Sequence, residues 1–214
     1  MPDPLVARLL GPPQFSVAAN SIACPSKKSL GLFAFLLLTG KQHPRRELAA
    51  LLWGHGDEET SRASLRAALH RLPAAMAECL QIDRESIGVA PSAAPLVDVE
   101  RFETLARAQD LDSLETAATL YQDELLKDFE PAATPEFDDW LHGGRVRLGQ
   151  LAQNVFDGVI ARRTERARQD AARATSERES ALATGLRWTS LMSSWADKTP
   201  SMPASVITST KLTG

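Results

Sequence analysis

Three basic side chains recur at four-residue intervals in the stretch TSRASLRAALHRL, residues 60–72: Arg62, Arg66 and His70. On a helix that spacing places them on one face, with Ser64 and Arg71 along its flank. Arginine can bond bidentately to guanine, while serine and a second arginine can hold phosphate oxygens. This is the chemistry of recognition rather than of bond-making. His43, His55, His70 and His142 are scattered, with no partner at metal-ligand spacing. Gly143-Gly144 lacks the lysine context of a phosphate loop. Asp123-Glu124 and Asp138-Asp139 are adjacent on helices, so their carboxylates diverge. No receiver-like alternation of strand and helix precedes the basic stretch to supply a phosphorylated aspartate. The residues therefore argue against an enzyme, and no cofactor or metal is expected.

The opposite face of the basic stretch is apolar. Leu65, Ala68, Leu69, Leu72 and Met76 fall at i, i+3, i+4, i+7 and i+11, a single stripe that faces a core. Asp57, Glu58 and Glu59 sit just ahead, where the helix dipole favours negative charge, and Thr60 or Ser61 is expected to cap the first turn. Taken alone this is also the pattern of a solvated amphipathic helix. The surrounding elements decide between the two readings.

Residues 6–10, 15–17 and 22–24 are short apolar runs separated by Gly11-Pro12-Pro13 and Ala19-Asn20, which predicts short strands joined by turns. Ser26 offers an N-cap to SKKSLGLFAFLLLTG, a helix with Leu30, Phe33, Leu37 and Leu38 apolar that Gly40 ends. In HPRRELAALLW, Pro44 suits a first helical turn, and Leu48, Leu51 and Leu52 build a second helix closing on Trp53. Gly54-His55-Gly56 is a loop. Pro73 removes the bond to the Leu69 carbonyl, so the third helix stops or kinks at Leu72. Leu80-Gln81-Ile82 and Ile87-Gly88-Val89 alternate around Asp83-Arg84-Glu85 as a hairpin does, and Val97-Asp98-Val99 supplies a further strand or a linker. Strands, three helices and a closing hairpin describe a winged helix-turn-helix with an N-terminal sheet. There the second helix buttresses, the third enters the major groove and the hairpin touches an adjacent groove. Lys27, Lys28 and Arg46 stand at helix starts, within reach of backbone phosphate.

Charge is unevenly placed, although the formal net charge is only −3. Across residues 26–78 basic side chains outnumber acids; across 98–139 only Arg101, Arg107 and Lys127 oppose the carboxylates. A basic first part joined to an acidic second part suggests a nucleic-acid face attached to something else. Cys24 and Cys79 form no disulfide framework, Met1-Pro2-Asp3-Pro4 does not open a secretory signal, and the apolar run 30–38 is too short to span a bilayer. A cytoplasmic protein without a membrane partner is expected.

The run KKSLGLFAFLL…RRELAALLWGHGDEETSRASLRAALHRL, with the opening ARLLGPPQFSV, closely resembles the SARP-type (antibiotic-regulatory-protein) transcriptional regulators of bacteria. The following VDVERFETL…AATLYQDELLKDFEPAATPEFDDWLHGGRVRL resembles their bacterial transcriptional activator domain, a tetratricopeptide-like helical array. The resemblance covers roughly residues 6–191. It implies an α+β, mainly α chain: an OmpR-type winged helix-turn-helix over 1–97, then a partial helical-repeat domain over 98–191. It makes 60–72 the recognition helix, with Arg62, Ser64, Arg66, His70 and Arg71 at its outward positions. Two residues depart from the family pattern. Pro73 stands where the helix usually continues with a basic residue, and Pro44 where a capping Ser or Thr is usual.

Helical faces follow in order: Phe102, Leu105 and Ala106; then Leu114, Ala117, Ala118 and Tyr121; then, after a break at 131–135, Phe137, Trp140, Leu141, Leu148, Leu151, Val155, Phe156 and Val159. Such helix pairs stack neighbour on neighbour. Tyr121, Phe129, Phe137 and Trp140 either line a groove for a partner segment or, as the stronger reading, pack the core. Residues 165–187 are charged and alanine-rich, and 192–214 are rich in Ser, Thr and Pro and expected to be a disordered tail. The resemblance stops near Leu191, where the array is expected to be truncated, leaving an apolar face open to dimerisation. The chain thus reads as a sequence-specific regulator of double-stranded DNA, its helical part contacting RNA polymerase or another regulator, with a homodimer as a further partner. The alternative is a truncated protein-interaction module without productive DNA binding.

Overall fold

The computed structural model describes residues 3–54 and 56–196, with side chains as far as residue 184. His55 and residues 197–214, the bulk of the expected tail, lie outside the described residues. The chain divides into two units at Arg162. The first is mainly helical with a small sheet region.

Strands β1 (Val6–Arg8), β2 (Gln14–Val17) and β3 (Asn20–Ser21) form an antiparallel meander, and β7 (Leu96–Val97) joins β1 in parallel, giving the order β3-β2-β1-β7. The third strand lies ahead of the expected run 22–24. Ala18 and Ala19 both take positive φ, 49° and 65°, so a two-residue turn pairs Asn20 with Val17 and only the Ile22 amide stays in the ladder, donating to Phe15 O.

Helix α1 (Lys27–Thr39) begins and ends where its sequence directs. Ser26 Oγ accepts from the Ser29 amide, and Gly40 closes the helix at φ 60°, a conformation that favours glycine. An unexpected strand follows, β4 (His43–Pro44), an edge strand of a second sheet in which it lies beside β6 (Ser86–Val89) and then β5 (Leu80–Ile82). Proline is tolerated at a sheet edge, and here its extended backbone precedes α2 (Arg45–Trp53) instead of opening its first turn. Helix α3 (Glu58–His70) is capped by Asp57, not by Thr60 or Ser61. The reason is chemical: one Asp57 oxygen accepts from the Thr60 amide and the other from its hydroxyl, so Thr60 acts as donor. The helix ends at His70, before the expected Leu72, and Pro73 opens a short helix not foreseen, α4 (Ala74–Ala77). The hairpin of β5 (Leu80–Ile82) and β6 (Ser86–Val89) is paired as expected, Leu80 against Val89 and Ile82 against Ile87.

Helices α5 (Asp98–Ala108), α6 (Leu111–Leu120) and α7 (Pro135–Ala196) complete the chain. Phe102, Ala106, Leu114 and Ala117 are buried where α5 and α6 meet, and Phe137, Leu141, Leu148 and Val155 bury one face of α7. Tyr121, Phe129, Phe137 and Trp140 pack into the core or against it, the rings of Phe35 and Trp140 lying 4.9 Å apart. A continuous core runs through this unit from Leu5 to Val155, across the junction of Val97 and Asp98. In the second unit, residues 163–184 are exposed throughout, and α7 carries on through residues 192–196. Among the described residues no helix is long and apolar enough to cross a membrane.

Asp98 links the first sheet to α5. Its carboxylate accepts from the Leu9 amide at 2.9 Å and the Leu10 amide at 3.0 Å. Burial holds this carboxyl above its ordinary range, against the opposing pull of those amides and of Arg8. The folded chain therefore binds the proton more tightly than the unfolded chain, whose carboxyl titrates near 3.8. The corresponding stability is full below that value and declines as pH rises through the raised one. Thermal unfolding across the acid range should show this decline in the native chain and lose it in Asp98→Asn. At neutral pH, Asp98→Ala should cost about 1–3 kcal/mol, because two amides lose their acceptor.

Gly88 permits the close approach of β6 to the chain ahead of β4. A Cβ there would stand 2.8 Å from Lys41 O and 2.9 Å from the Gln42 side chain. Backbone must shift to admit it, so Gly88→Ala should destabilise by about 1–3 kcal/mol. A denaturant titration would register this as a lower midpoint.

Candidate nucleic-acid interface

The interface begins with the two sides of α3. Ser61, Leu65 and Ala68 face inward and are buried; Ser61 Oγ donates to Trp53 O at 2.8 Å, and Ser29 Oγ of α1 donates to Ala68 O at 2.9 Å. Those bonds fix the helix's rotation, leaving Arg62, Arg66 and His70 exposed and Ser64 half-buried. At its start, hydrogen bonds from the Thr60 amide and hydroxyl hold the Asp57 carboxyl below the usual carboxylate range, so the capping group is ionised at neutral pH.

Beside α3 lies an open groove of about 920 Å³. Arg46 comes from the start of α2, Arg62 and Arg66 from α3, and all three line it. Two further arginines join them: Arg45 from α2 and Arg84 from the tip of the β5–β6 hairpin. Neither was singled out from sequence, although Arg84 sits in the turn that the strand pattern located. The tip is tied down from α2. The Arg45 amide donates to Glu85 O at 2.8 Å and its guanidinium to Asp83 O at 3.2 Å. Glu58, Glu59 and Glu85 also line the groove, and Glu58 pairs with Arg62 at 2.5 Å. The charge lining the groove is thus mixed, not uniformly basic.

A second hollow, of about 420 Å³, opens where α3 meets the start of α1. It gathers Lys27, Lys28, Ser64 and Arg71. Lys28 is already committed there: its ammonium donates to Leu52 O at 2.9 Å and lies 5.7 Å from the centre of the Trp53 ring. It closes the end of α2, as a cation does at a helix C-terminus, and is less available to a phosphate than Lys27. His70 lines neither hollow and stands in the last turn of α3. The eight residues picked from sequence thus fall into two groups on α3's borders, with His70 apart. Among the described residues no three His, Cys, Asp or Glu side chains cluster so as to hold a metal ion.

No protein-family model matches the chain, and no curated protein does. Among solved structures it is similar to EmbR of Mycobacterium tuberculosis, determined in complex with a low-affinity phosphopeptide. The match has a TM-score of 0.55 at 17% identity and covers 72% of this chain. It covers 44% of the EmbR chain, so the present chain spans less than half of that protein. At this identity the likeness is one of fold: most of this chain is folded as part of EmbR is.

Proposed function

We propose that the chain is a transcriptional regulator that binds double-stranded DNA selectively, of the SARP type its sequence resembles. Residues 1–97 act as an OmpR-type winged helix-turn-helix, with α3 as recognition helix and the β5–β6 hairpin as wing. Residues 98–191 act as a partial tetratricopeptide-like activator domain that meets RNA polymerase or another regulator. The observation that carries this reading is the groove along α3, where five arginines from α2, α3 and the hairpin converge. Arginines from three separate elements, held around a helix whose apolar side is buried, suit a duplex better than any small ligand. Arg62 and Arg66 face bases in the major groove. Arg46, Lys27, Ser64 and Arg71 hold phosphates on its two borders, and Arg84 reaches the neighbouring groove. His70 and Lys28 contribute charge at the margin. Such a protein works in the cytoplasm, where its DNA is.

A second reading, a protein-interaction module, draws on the apolar side chains that α7 leaves exposed, Val146 at 59% and Phe156 at 42%. It predicts dimers or larger species at low micromolar concentration and no promoter selectivity.

Binding to DNA upstream of the chain's own and neighbouring genes, titrated across salt beside an unrelated duplex, separates the two. A regulator gives a promoter-selective complex with steep salt dependence. In that assay Arg66→Ala should cost about 1–3 kcal/mol at the selected site and relax discrimination. Arg71→Ala should weaken all sequences alike and reduce the salt slope by about one. Equal binding to both duplexes by the native chain would overturn the reading.

A further inference from the structure

The groove along α3 contains a pairing that a plain phosphate-binding surface would not need. Arg62 Nη2 donates to Glu58 Oε1 at 2.5 Å, one helical turn earlier, and the two side chains remain 57% and 70% exposed. An exposed ion pair of this spacing adds little to helix stability. The helix start is already served by the Asp57 cap and by Glu59. A carboxylate facing DNA is repelled by phosphate, so Glu58 is better placed against base edges than against the backbone. Base edges are what the N-terminal turns of a recognition helix meet.

Resting on the regulator reading, we infer that Glu58 is a positioning residue that sets sequence specificity by aiming Arg62 at a guanine. One edge of the guanidinium fork is engaged by the carboxylate, and the rest of the fork is left to donate to guanine O6 and N7. A long flexible side chain is thereby ordered before binding, which lowers the entropy lost on contact. The same carboxylate disfavours phosphate at this point of the groove and can accept from the amine of the paired cytosine. Arg66 lines the same groove and, among the described residues, makes no ion pair. The two arginines therefore differ in preorganisation, and Arg62 is the more selective.

The test is selection of duplexes from a random pool by the full chain, followed by sequencing of the bound fraction and titration of the best site against an unrelated duplex. Arg62→Ala should lose preference for guanine at one position by about tenfold. Glu58→Ala should weaken preference at that same position by about threefold to tenfold while binding the unrelated duplex more tightly. Glu58→Gln, which keeps an acceptor oxygen, should retain part of the preference. If Glu58→Ala shifts affinity for all sequences by one factor and leaves the guanine preference intact, the inference is wrong. A lower Tm with an intact preference is equally fatal, since it leaves Glu58 a helix-start residue only. A native chain that selects no sequence overturns the regulator reading itself and this inference with it, an outcome distinct from the other two.

Discussion

Helix α1 buries every residue from Gly31 to Leu37, so it has no side on which water is tolerable. A helix apolar all round must be covered from all round. The first sheet covers one side through Phe15, whose ring lies 5.6 Å from Phe33. Helix α3 covers another, where the buried Ser29 hydroxyl finds the Ala68 carbonyl. A third is covered by α7 and the segment ahead of it. A Cβ on Gly31 would stand 3.4 Å from both Phe129 and Phe137, and Trp140 meets Phe35 edge-on. Leu32, Phe33, Phe35, Leu36 and Leu37 each contribute about 1.5–3 kcal/mol on removal from water, so this helix is a substantial single contributor to folding. It also explains why one core runs from the N-terminal strands into α7: the later helices supply α1's missing wall.

The joint between the parts is strongly determined for the same reason. Leu126 is fully buried at φ 50°, a conformation that leucine rarely adopts. It is held there by several bonds at once. Its amide donates to Leu9 O, the Gly11 amide donates to Glu124 O, and Arg145 of α7 donates to the carbonyls of Leu125 and Leu126. Asp98 closes the same corner from the other side. Strain of this kind persists only where surrounding contacts over-determine it, and here they connect the N-terminal strand, α5 and α7.

Beyond Arg162, α7 rests on a different principle. Its described side chains are exposed, and its sequence is rich in alanine, arginine and glutamate, all strong helix formers. Local bonds run along it: Gln169 donates to Glu165, and the Thr175 and Thr184 hydroxyls donate to carbonyls one turn earlier. Its helicity is thus intrinsic, whereas that of α1 is imposed by burial.

Local signals were legible in the sequence wherever one residue governs its own backbone. Ser26 and Gly40 bound α1, the runs at 80–82 and 87–89 mark the two strands of the hairpin, and the apolar stripe of Leu65 and Ala68 decides which side of α3 is buried. The outward set that included Arg62 and Arg66 follows from that stripe by helical geometry alone. Tertiary structure decided the rest. Strand β4 exists only because β6 lies beside it, and the start of β3 depends on a turn in which two alanines accept positive φ. Asp57, and not Thr60, caps α3 because the threonine hydroxyl donates to it. Arg45 and Arg84 lie far apart in sequence and enter the groove through the fold, while Lys28 lines the second hollow and is engaged there by a carbonyl and a ring. Periodicity can tell which way a side chain faces along its own element. Which neighbour it meets there depends on how the elements pack, and that is set by the need to cover α1.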